Sequence, residues 1–132
     1  MQQLICHLVG DYVLQNHWMA TNKVKSWLPA IVHATVYMMP FCLLQPSNVA
    51  MLAMWSTHLL IDRFRLARYW VEFWGVGNTG ELWLILWTGP YLPRSGKMEE
   101  KDRAPDFLAV WLLIIVDNTA HLAINFLCLE YL

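Results

Sequence analysis

The stretch HLLIDRFRLARYW (residues 58–70) ends an apolar run and places a histidine and an aspartate four residues apart, at His58 and Asp62. Ionisable side chains inside an apolar helix are costly, and they are tolerated where they pair, face a bundle interior or bind an ion. A spacing of four puts both side chains on one helix face, about one turn apart. The pair therefore indicates a buried polar function.

The composition of the whole chain is typical of a membrane protein. Of its 132 residues, 58% are hydrophobic and 14% are charged, against about 45–50% and about 25% in soluble domains. A soluble chain of this length could not bury so much apolar surface, so we predict one integral membrane domain over residues 1–132 with the lipid bilayer as its partner. The net charge of −1 gives no argument for nucleic-acid binding, and none is expected.

Four apolar segments are long enough to cross a bilayer as helices, which predicts an all-α, four-helix membrane bundle. They cover roughly residues 2–20, 27–44, 47–64 and 107–131. All nine lysines and arginines fall on one side of this arrangement, at Lys23 and Lys25 and between Arg63 and Arg103. The positive-inside rule makes that side cytoplasmic, and predicts a multi-pass inner-membrane protein with both termini outside the cytoplasm.

Residues 65–106 form the predicted cytoplasmic or interfacial insert between the third and fourth helices. Its first part, RLARYWVEFW (65–74), is basic and aromatic and is predicted to lie along the interface as an amphipathic helix. The Trp-rich stretch ELWLILWTGPYL (81–92) is too short to span, and the role of residues 75–93 is left open. GVGNTG (75–80) matches GxGxxG but is flanked by no predicted strand, which favours a turn over a phosphate site.

Three histidine–aspartate pairs repeat the arrangement of the opening stretch. They are His7 with Asp11, His58 with Asp62, and Asp117 with His121, each four residues apart. On the first helix the polar stripe continues through Gln15, Trp18 and Asn22. On the second helix, His33 shares a face with Ser26, Pro29 and Tyr37. On the fourth helix, Asn125 continues the stripe of Asp117 and His121. We therefore predict that the four stripes face inward and form one polar centre in the cytoplasmic half of the bundle.

Mixed imidazole and carboxylate ligands predict a divalent transition metal, Zn²⁺ first and Mn²⁺ or Fe²⁺ as alternatives. The predicted ligands exceed one tetrahedral site and would suit more than one ion: His7, Asp11, His33, His58, Asp62, Asp117 and His121. Asp11 or Asp117 is the predicted catalytic residue, as bridging ligand or general base for a metal-activated water. Polar groups predicted to orient the ligating histidines are Gln15, Tyr37, Asn118 and Asn125.

Two other interpretations of the polar centre stay open. The pairs could relay protons in a carrier whose activity changes near the histidine pKa of about 6.5, or they could serve as hydrogen-bonded packing between helices. Arg63 and Arg65 are predicted membrane anchors. Because Arg65 falls on the face of His58, a contact from Arg63 or Arg65 to a substrate phosphate is the minority interpretation.

The runs HLVGDYVLQNHWMATNK (7–23), HLLIDRFR (58–65) and DNTAHL (117–122), with His33 and Tyr37 between them, resemble a bacterial and phage membrane family called domain of unknown function 3307. The resemblance covers nearly the whole chain and implies the fold more than an activity. The layout is more distantly similar to membrane-bound metal-dependent hydrolases related to zinc-dependent phospholipase C.

The second resemblance implies hydrolysis of a phosphoester in a lipid or nucleotide substrate, although no glutamate occurs in the polar stripes. The alternative function is a non-enzymatic phage or bacterial membrane protein, either an envelope-modifying factor or a proton-coupled carrier. The sequence leaves the oligomeric state open, a homo-oligomer included.

Overall fold

A computed structural model describes residues 1–73 and 106–132 of the protein, with side chains for residues 1–71 and 110–132. Regular structure in both ranges is helical, and neither range contains a strand. This confirms the all-α prediction. The predictions for GVGNTG and for the Trp-rich stretch 81–92 fall outside the described residues.

The chain forms six described α-helices in order. They are α1 (Gln2–Leu8), α2 (His17–Asn22), α3 (Trp27–Met38), α4 (Asn48–Phe64), α5 (Leu66–Phe73) and α6 (Asp106–Tyr131), with a π-helix at Val9–Val13 after α1 and a 3-10 helix at Pro40–Leu44 after α3. Helix α6 agrees with the predicted fourth segment to within one residue at its start.

The predicted first span, residues 2–20, is not one helix. The chain bends after Val13, and α2 begins at His17, where the Asn16 side chain caps the helix by accepting from Met19 N at 2.9 Å. Asparagine is a favoured N-cap residue because its side chain satisfies a free N–H of the first turn. The regular rotation that placed Trp18 and Asn22 on the stripe of His7 therefore stops at the bend, and that part of the prediction was wrong.

By length and composition alone, two described helical segments can cross a membrane. They are Trp27–Leu44, of 18 residues and mean hydropathy 1.5, and Val110–Tyr131, of 22 residues and mean hydropathy 1.7. Both coincide with predicted spans and indicate membrane association. Helix α4 has 17 residues, and α1 with its π-helix ends at Val13. The four-span bundle and its topology therefore stay a proposal.

The described residues divide into two compact units, Met1–Leu66 with Asn118–Leu132 as the first and Ala67–Asp117 as the second. In the second unit, α5 has the two-sided pattern predicted for it. Ala67 and Val71, one turn apart, are buried, whereas Tyr69 and Trp70 are exposed. The amphipathic helix is present, and its place at a membrane interface stays a prediction.

The core of the first unit lies mainly between α3, the 3-10 helix and α4. Tyr37, Phe41 and Met54 are fully buried in it, together with Ala50. Ala30 and Ala34 of α3 form a second buried cluster with Leu59 of α4. Small residues at such contacts let helix backbones approach closely, so the neighbouring His33 on α3 and His58 on α4 are brought together.

Gly10 lets the π-helix lie directly against α3. A Cβ at this position would lie 2.8 Å from the carbonyl oxygen of Tyr37 and 2.8 Å from its Cδ2 atom. Only a residue without a side chain fits such a contact. The π-helix, closed by Leu14 N donating to Val9 O at 2.9 Å, then presents Asp11 to His33 on α3.

Candidate metal centre

Six of the seven predicted ligands are buried in the first unit. The four histidines, His7, His33, His58 and His121, are at most 2% exposed, and Asp11 and Asp62 are each 6% exposed. Ionisable side chains are seldom so buried unless they are paired or bind an ion. The first unit therefore contains a polar cluster of the kind predicted from the pairs.

Four of these side chains bring one donor atom each to a common point. Nε2 of His33 lies 3.1 Å from Nε2 of His58 and 2.9 Å from Oδ2 of Asp62. Nε2 of His58 lies 3.3 Å from the same Asp62 oxygen. Oδ1 of Asp11 lies 3.1 Å from Nε2 of His33. We call Asp11, His33, His58 and Asp62 the His/Asp centre; their donor atoms all lie within 4.8 Å of one another.

These distances fit a small metal ion. Ligand atoms bonded to tetrahedral zinc at about 2.0–2.1 Å are about 3.3 Å from each other, and the triangle of His33, His58 and Asp62 has edges of 2.9 to 3.3 Å. Hydrogen bonds satisfy the same atoms poorly, because one imidazole nitrogen offers a single proton or a single lone pair. Nε2 of His33 faces two carboxylates and a second imidazole. The donor set therefore suits a cation.

Asp62 is the member of the centre with most partners. Beside His33 and His58, its Oδ1 lies 3.4 Å from Nε2 of His121, and its Oδ2 accepts from Nζ of Lys23 at 2.6 Å. Its position in the last turn of α4 lets it meet the turn between α2 and α3 as well as α3 itself. Sequence spacing paired Asp62 with His58 alone.

Lys23 is a member of the candidate site that was not predicted from the sequence. Its Nζ atom lies 2.6 Å from Asp62 and 3.3 Å from Nε2 of His33, and its side chain is 17% exposed. In the sequence, Lys23 contributes to the positive charge that orients the predicted membrane topology. One signal was available, because Lys23 ends the run HLVGDYVLQNHWMATNK that carries the family resemblance.

The remaining buried groups support the centre from α1, α3 and α6. Both ring nitrogens of His7 have side-chain partners: Nδ1 lies 3.0 Å from the Tyr37 hydroxyl, and Nε2 lies 2.7 Å from Oδ1 of Asn118. The Tyr37 hydroxyl accepts from Asn125 at 2.6 Å, and its ring stacks on His58 with 3.6 Å between centroids. The structure thus places Tyr37 and Asn118 against His7, which suits the orienting role predicted for them, and places Asn125 against the Tyr37 hydroxyl.

His121 reaches the centre through His58 as well as Asp62. Its Nδ1 atom lies 3.2 Å from Nδ1 of His58. A ligating imidazole that is held through its second nitrogen keeps its ring orientation, and His121 gives His58 such a partner. Nδ1 of His33, in contrast, has no hydrogen-bond partner among the described residues.

Gln15 and Asp117 are the two remaining predicted residues of the site. Gln15 follows the bend after Val13, and its Oε1 atom is buried without a hydrogen-bond partner in the described part of the chain, so the structure does not give it the predicted role of orienting a histidine. Asp117 precedes His121 by one turn on α6 and is the last residue of the second unit. Its role as a ligand stays a prediction.

The two arginines considered for substrate phosphate lie at the end of α4. The Arg63 guanidinium donates to the carbonyl oxygen of Val24 and lies 5.2 Å from the Trp27 ring centre. Arg65 follows the helix in the left-handed conformation, with φ of 51°, and is exposed. Because α4 ends at Phe64, the rotation that put Arg65 on the face of His58 does not apply, and that placement was wrong. A phosphate contact stays a prediction for both.

Loss of the Tyr37 hydroxyl should destabilise the first unit. Tyr37→Phe removes the partner of Asn125 Nδ2 and of His7 Nδ1, and leaving buried polar groups unpaired costs about 1–3 kcal/mol. Denaturant unfolding in detergent micelles, followed by tryptophan fluorescence, measures the change. Tyr131→Phe, at a residue 74% exposed, is the matched control. Equal stability of the two variants would contradict this network.

Fold and site together define an all-helical protein with a buried histidine and aspartate centre that can hold a metal ion. Residues 1–87 match the family described as "Protein of unknown function (DUF3307)", and the chain belongs to that family. This confirms the first resemblance, over a shorter stretch than the sequence analysis expected. The whole His/Asp centre and Lys23 lie within the matched residues, whereas Asp117 and His121 lie beyond them.

No curated protein and no solved structure matches the chain. The more distant similarity to metal-dependent hydrolases therefore has no support from these comparisons. An assignment of activity rests on the chemistry of the centre alone.

Proposed function

We propose that the protein is a membrane-embedded, metal-dependent hydrolase that cleaves a phosphoester in a lipid or nucleotide substrate. The observation that carries the proposal is the convergence of the Nε2 atoms of His33 and His58 on one Asp62 oxygen, with edges of 2.9 to 3.3 Å. Zn²⁺ is the first candidate, and Mn²⁺ or Fe²⁺ would suit the same ligands.

Charge supports a divalent ion at this place. Asp11 and Asp62 contribute two negative charges within a buried cluster, and Lys23 supplies one positive charge. Buried charges are expensive unless they are compensated. The two carboxylates and Lys23 leave one net negative charge, and a divalent cation that took the place of the ammonium beside neutral imidazoles would give a neutral group, which lowers the cost of burying it.

The chemistry follows from the number of ligands. If His33, His58 and Asp62 hold the ion, zinc would supply an activated water, because it lowers the pKa of bound water to about 7. Asp11, whose Oδ1 atom lies 3.1 Å from Nε2 of His33, would accept the proton of that water. Asp117 is the alternative base.

The proposed location is the inner membrane, with the centre in the cytoplasmic half of a four-helix bundle and both termini outside the cytoplasm. Two apolar helical segments support membrane association. The restriction of lysine and arginine to Lys23, Lys25 and residues 63–103 supports the orientation. A centre beside Lys23 and Arg63 would open towards the cytoplasmic surface.

Metal content tests the proposal directly. Protein purified in detergent without chelators should contain one or more transition-metal ions per chain by mass spectrometry, because the donor atoms already converge. His58→Ala removes one corner of the triangle and should lower the metal content severely. His17→Ala, at an exposed histidine of the same chain, should leave it unchanged. Wild-type protein that holds no transition metal even after incubation with zinc would contradict the proposal.

Activity is a separate readout. Metal-loaded protein should release product from a chromogenic phosphodiester, and a chelator should abolish and zinc restore the reaction. His17→Ala should retain the activity, whereas Asp11→Asn should lose more activity than its loss of metal accounts for. Metal-loaded protein that is inactive on phosphodiester lipids and nucleotides alike would contradict hydrolysis and leave metal binding in place.

A proton relay is the second candidate function, and a chain of contacts favours it. His121 contacts His58 at 3.2 Å, His58 contacts His33 at 3.1 Å, and His33 contacts Asp11 at 3.1 Å. Lines of titratable groups of this kind occur in proton-coupled carriers. Proton flux into liposomes that persists with chelators and changes around pH 6.5, roughly the pKa of histidine, would favour the relay over the hydrolase.

A further inference from the structure

We propose that the Lys23 ammonium occupies the cation position of the His/Asp centre in the metal-free protein and leaves it when a metal ion binds, so that Lys23 sets the metal affinity. The inference rests on the proposed function, because it assumes that the centre takes a metal. It adds a regulating residue to that centre.

The contacts of Lys23 coincide with those that a metal would use. Its Nζ atom donates to Oδ2 of Asp62 at 2.6 Å, which is the oxygen shared by His33 and His58. The same Nζ atom lies 3.3 Å from Nε2 of His33. An ammonium and a metal ion cannot both use Nε2 of His33, which has a single lone pair, and two cations beside the same Asp62 oxygen would repel each other. Metal binding must therefore displace Lys23.

The turn that carries Lys23 can release the side chain without unfolding. Lys23 is the C-cap of α2, and the Arg63 guanidinium donates a hydrogen bond to the carbonyl oxygen of the next residue, Val24. The backbone of the turn is thus fixed to the end of α4 independently of the Lys23–Asp62 contact. Lys25 and Ser26 nearby are exposed. Because the lysine stem is long and flexible, the ammonium can turn from Asp62 to solvent.

Displacement lowers the apparent affinity for metal. Only molecules in which Lys23 has left the centre can bind the metal. The apparent dissociation constant for the metal therefore rises as the fraction of such molecules falls. Lys23→Met keeps the length of the side chain and removes its charge. We expect the variant to bind zinc about tenfold more tightly, which corresponds to about 1.4 kcal/mol. Lys25→Met, two residues along in the same turn, should bind zinc as the wild type does.

Zinc titration of the full chain in detergent, in competition with a chromophoric chelator, measures these affinities. Tighter binding by Lys23→Met, with Lys25→Met unchanged, supports the inference. Equal or weaker binding by Lys23→Met, while the wild type binds zinc, overturns it and leaves the metal centre standing. If the wild type and both variants bind no zinc, the proposed metal centre fails and the inference fails with it.

Amine labelling of the wild type avoids any dependence on a folded variant. Lys23 should be protected from an acetylating reagent in the metal-free protein and become labelled after zinc is added. Lys25, which is exposed, should be labelled in both states and serves as the internal control. Lys23 labelling that zinc leaves unchanged, in protein shown to bind zinc, would overturn the inference.

Discussion

Asp62→Asn is expected to lower the free energy of unfolding by about 3–5 kcal/mol, the range found when one partner of a buried charge pair is removed. The substitution keeps the shape of the side chain and removes its charge. Lys23 at 2.6 Å and His33 at 2.9 Å would then face a neutral amide. The amide would also bring N–H donors towards groups that now donate to Asp62. The first unit therefore loses the residue that joins α3, α4 and the turn at Lys23.

The same substitution should abolish zinc binding, because Asp62 supplies one corner of the ligand triangle. Denaturant unfolding in detergent and zinc titration measure the two effects on one preparation. Glu130→Gln is the matched control, since it makes the same chemical change at an exposed carboxylate of α6. If Asp62→Asn and Glu130→Gln unfold at the same denaturant concentration, Asp62 does not hold the cluster together.

Gly10→Val is expected to cost at least about 3 kcal/mol, at the upper end of the range for overpacking a tight contact. A single Cβ would already lie 2.8 Å from the carbonyl oxygen of Tyr37. That oxygen belongs to the backbone of α3 and cannot rotate away. The π-helix would have to move off α3, and Asp11 would leave His33. Gly10→Ala should show a smaller loss in the same direction.

Stability and zinc affinity should fall together in the Gly10 variants, since the glycine positions Asp11 as well as packing the helix. Denaturant unfolding and zinc titration measure both. Val13→Ile adds bulk to the same π-helix at a side chain that is 73% exposed, and it should change neither quantity. A Gly10→Val protein with wild-type stability would show that the π-helix and α3 do not approach as closely as described.

Much of the site could be predicted from the sequence because its spacing is local. His58 and Asp62 lie on one unbroken helix, Asn48–Phe64, so four residues of separation suffice to put them side by side. The composition and the apolar runs predicted helices, and the described residues are helical. The motif runs identified the family that residues 1–87 match.

Residue placements predicted from the sequence were wrong where the chain departs from regular α-helical rotation. The π-helix and the bend after Val13 broke the stripe that was drawn through Trp18 and Asn22. Arg65, the residue after α4, has a left-handed backbone conformation, which ended the rotation that had put it on the face of His58. Both changes depend on local caps and hydrogen bonds, such as the Asn16 cap on Met19, which hydrophobic periodicity does not register.

The sequence by itself determined the helical class, the family and the shared helix face of His58 and Asp62. Only the tertiary structure decided that His33 and His58 both contact Asp62, that His7 contacts the Tyr37 hydroxyl, and that Lys23 contacts Asp62. The physical reason is that contacts such as His7–Tyr37, Lys23–Asp62 and His58–His121 join residues 30 to 63 positions apart. The geometry of these contacts depends on how closely α3 approaches the π-helix at Gly10 and on how the helices pack together. Residue spacing within one helix does not encode either property.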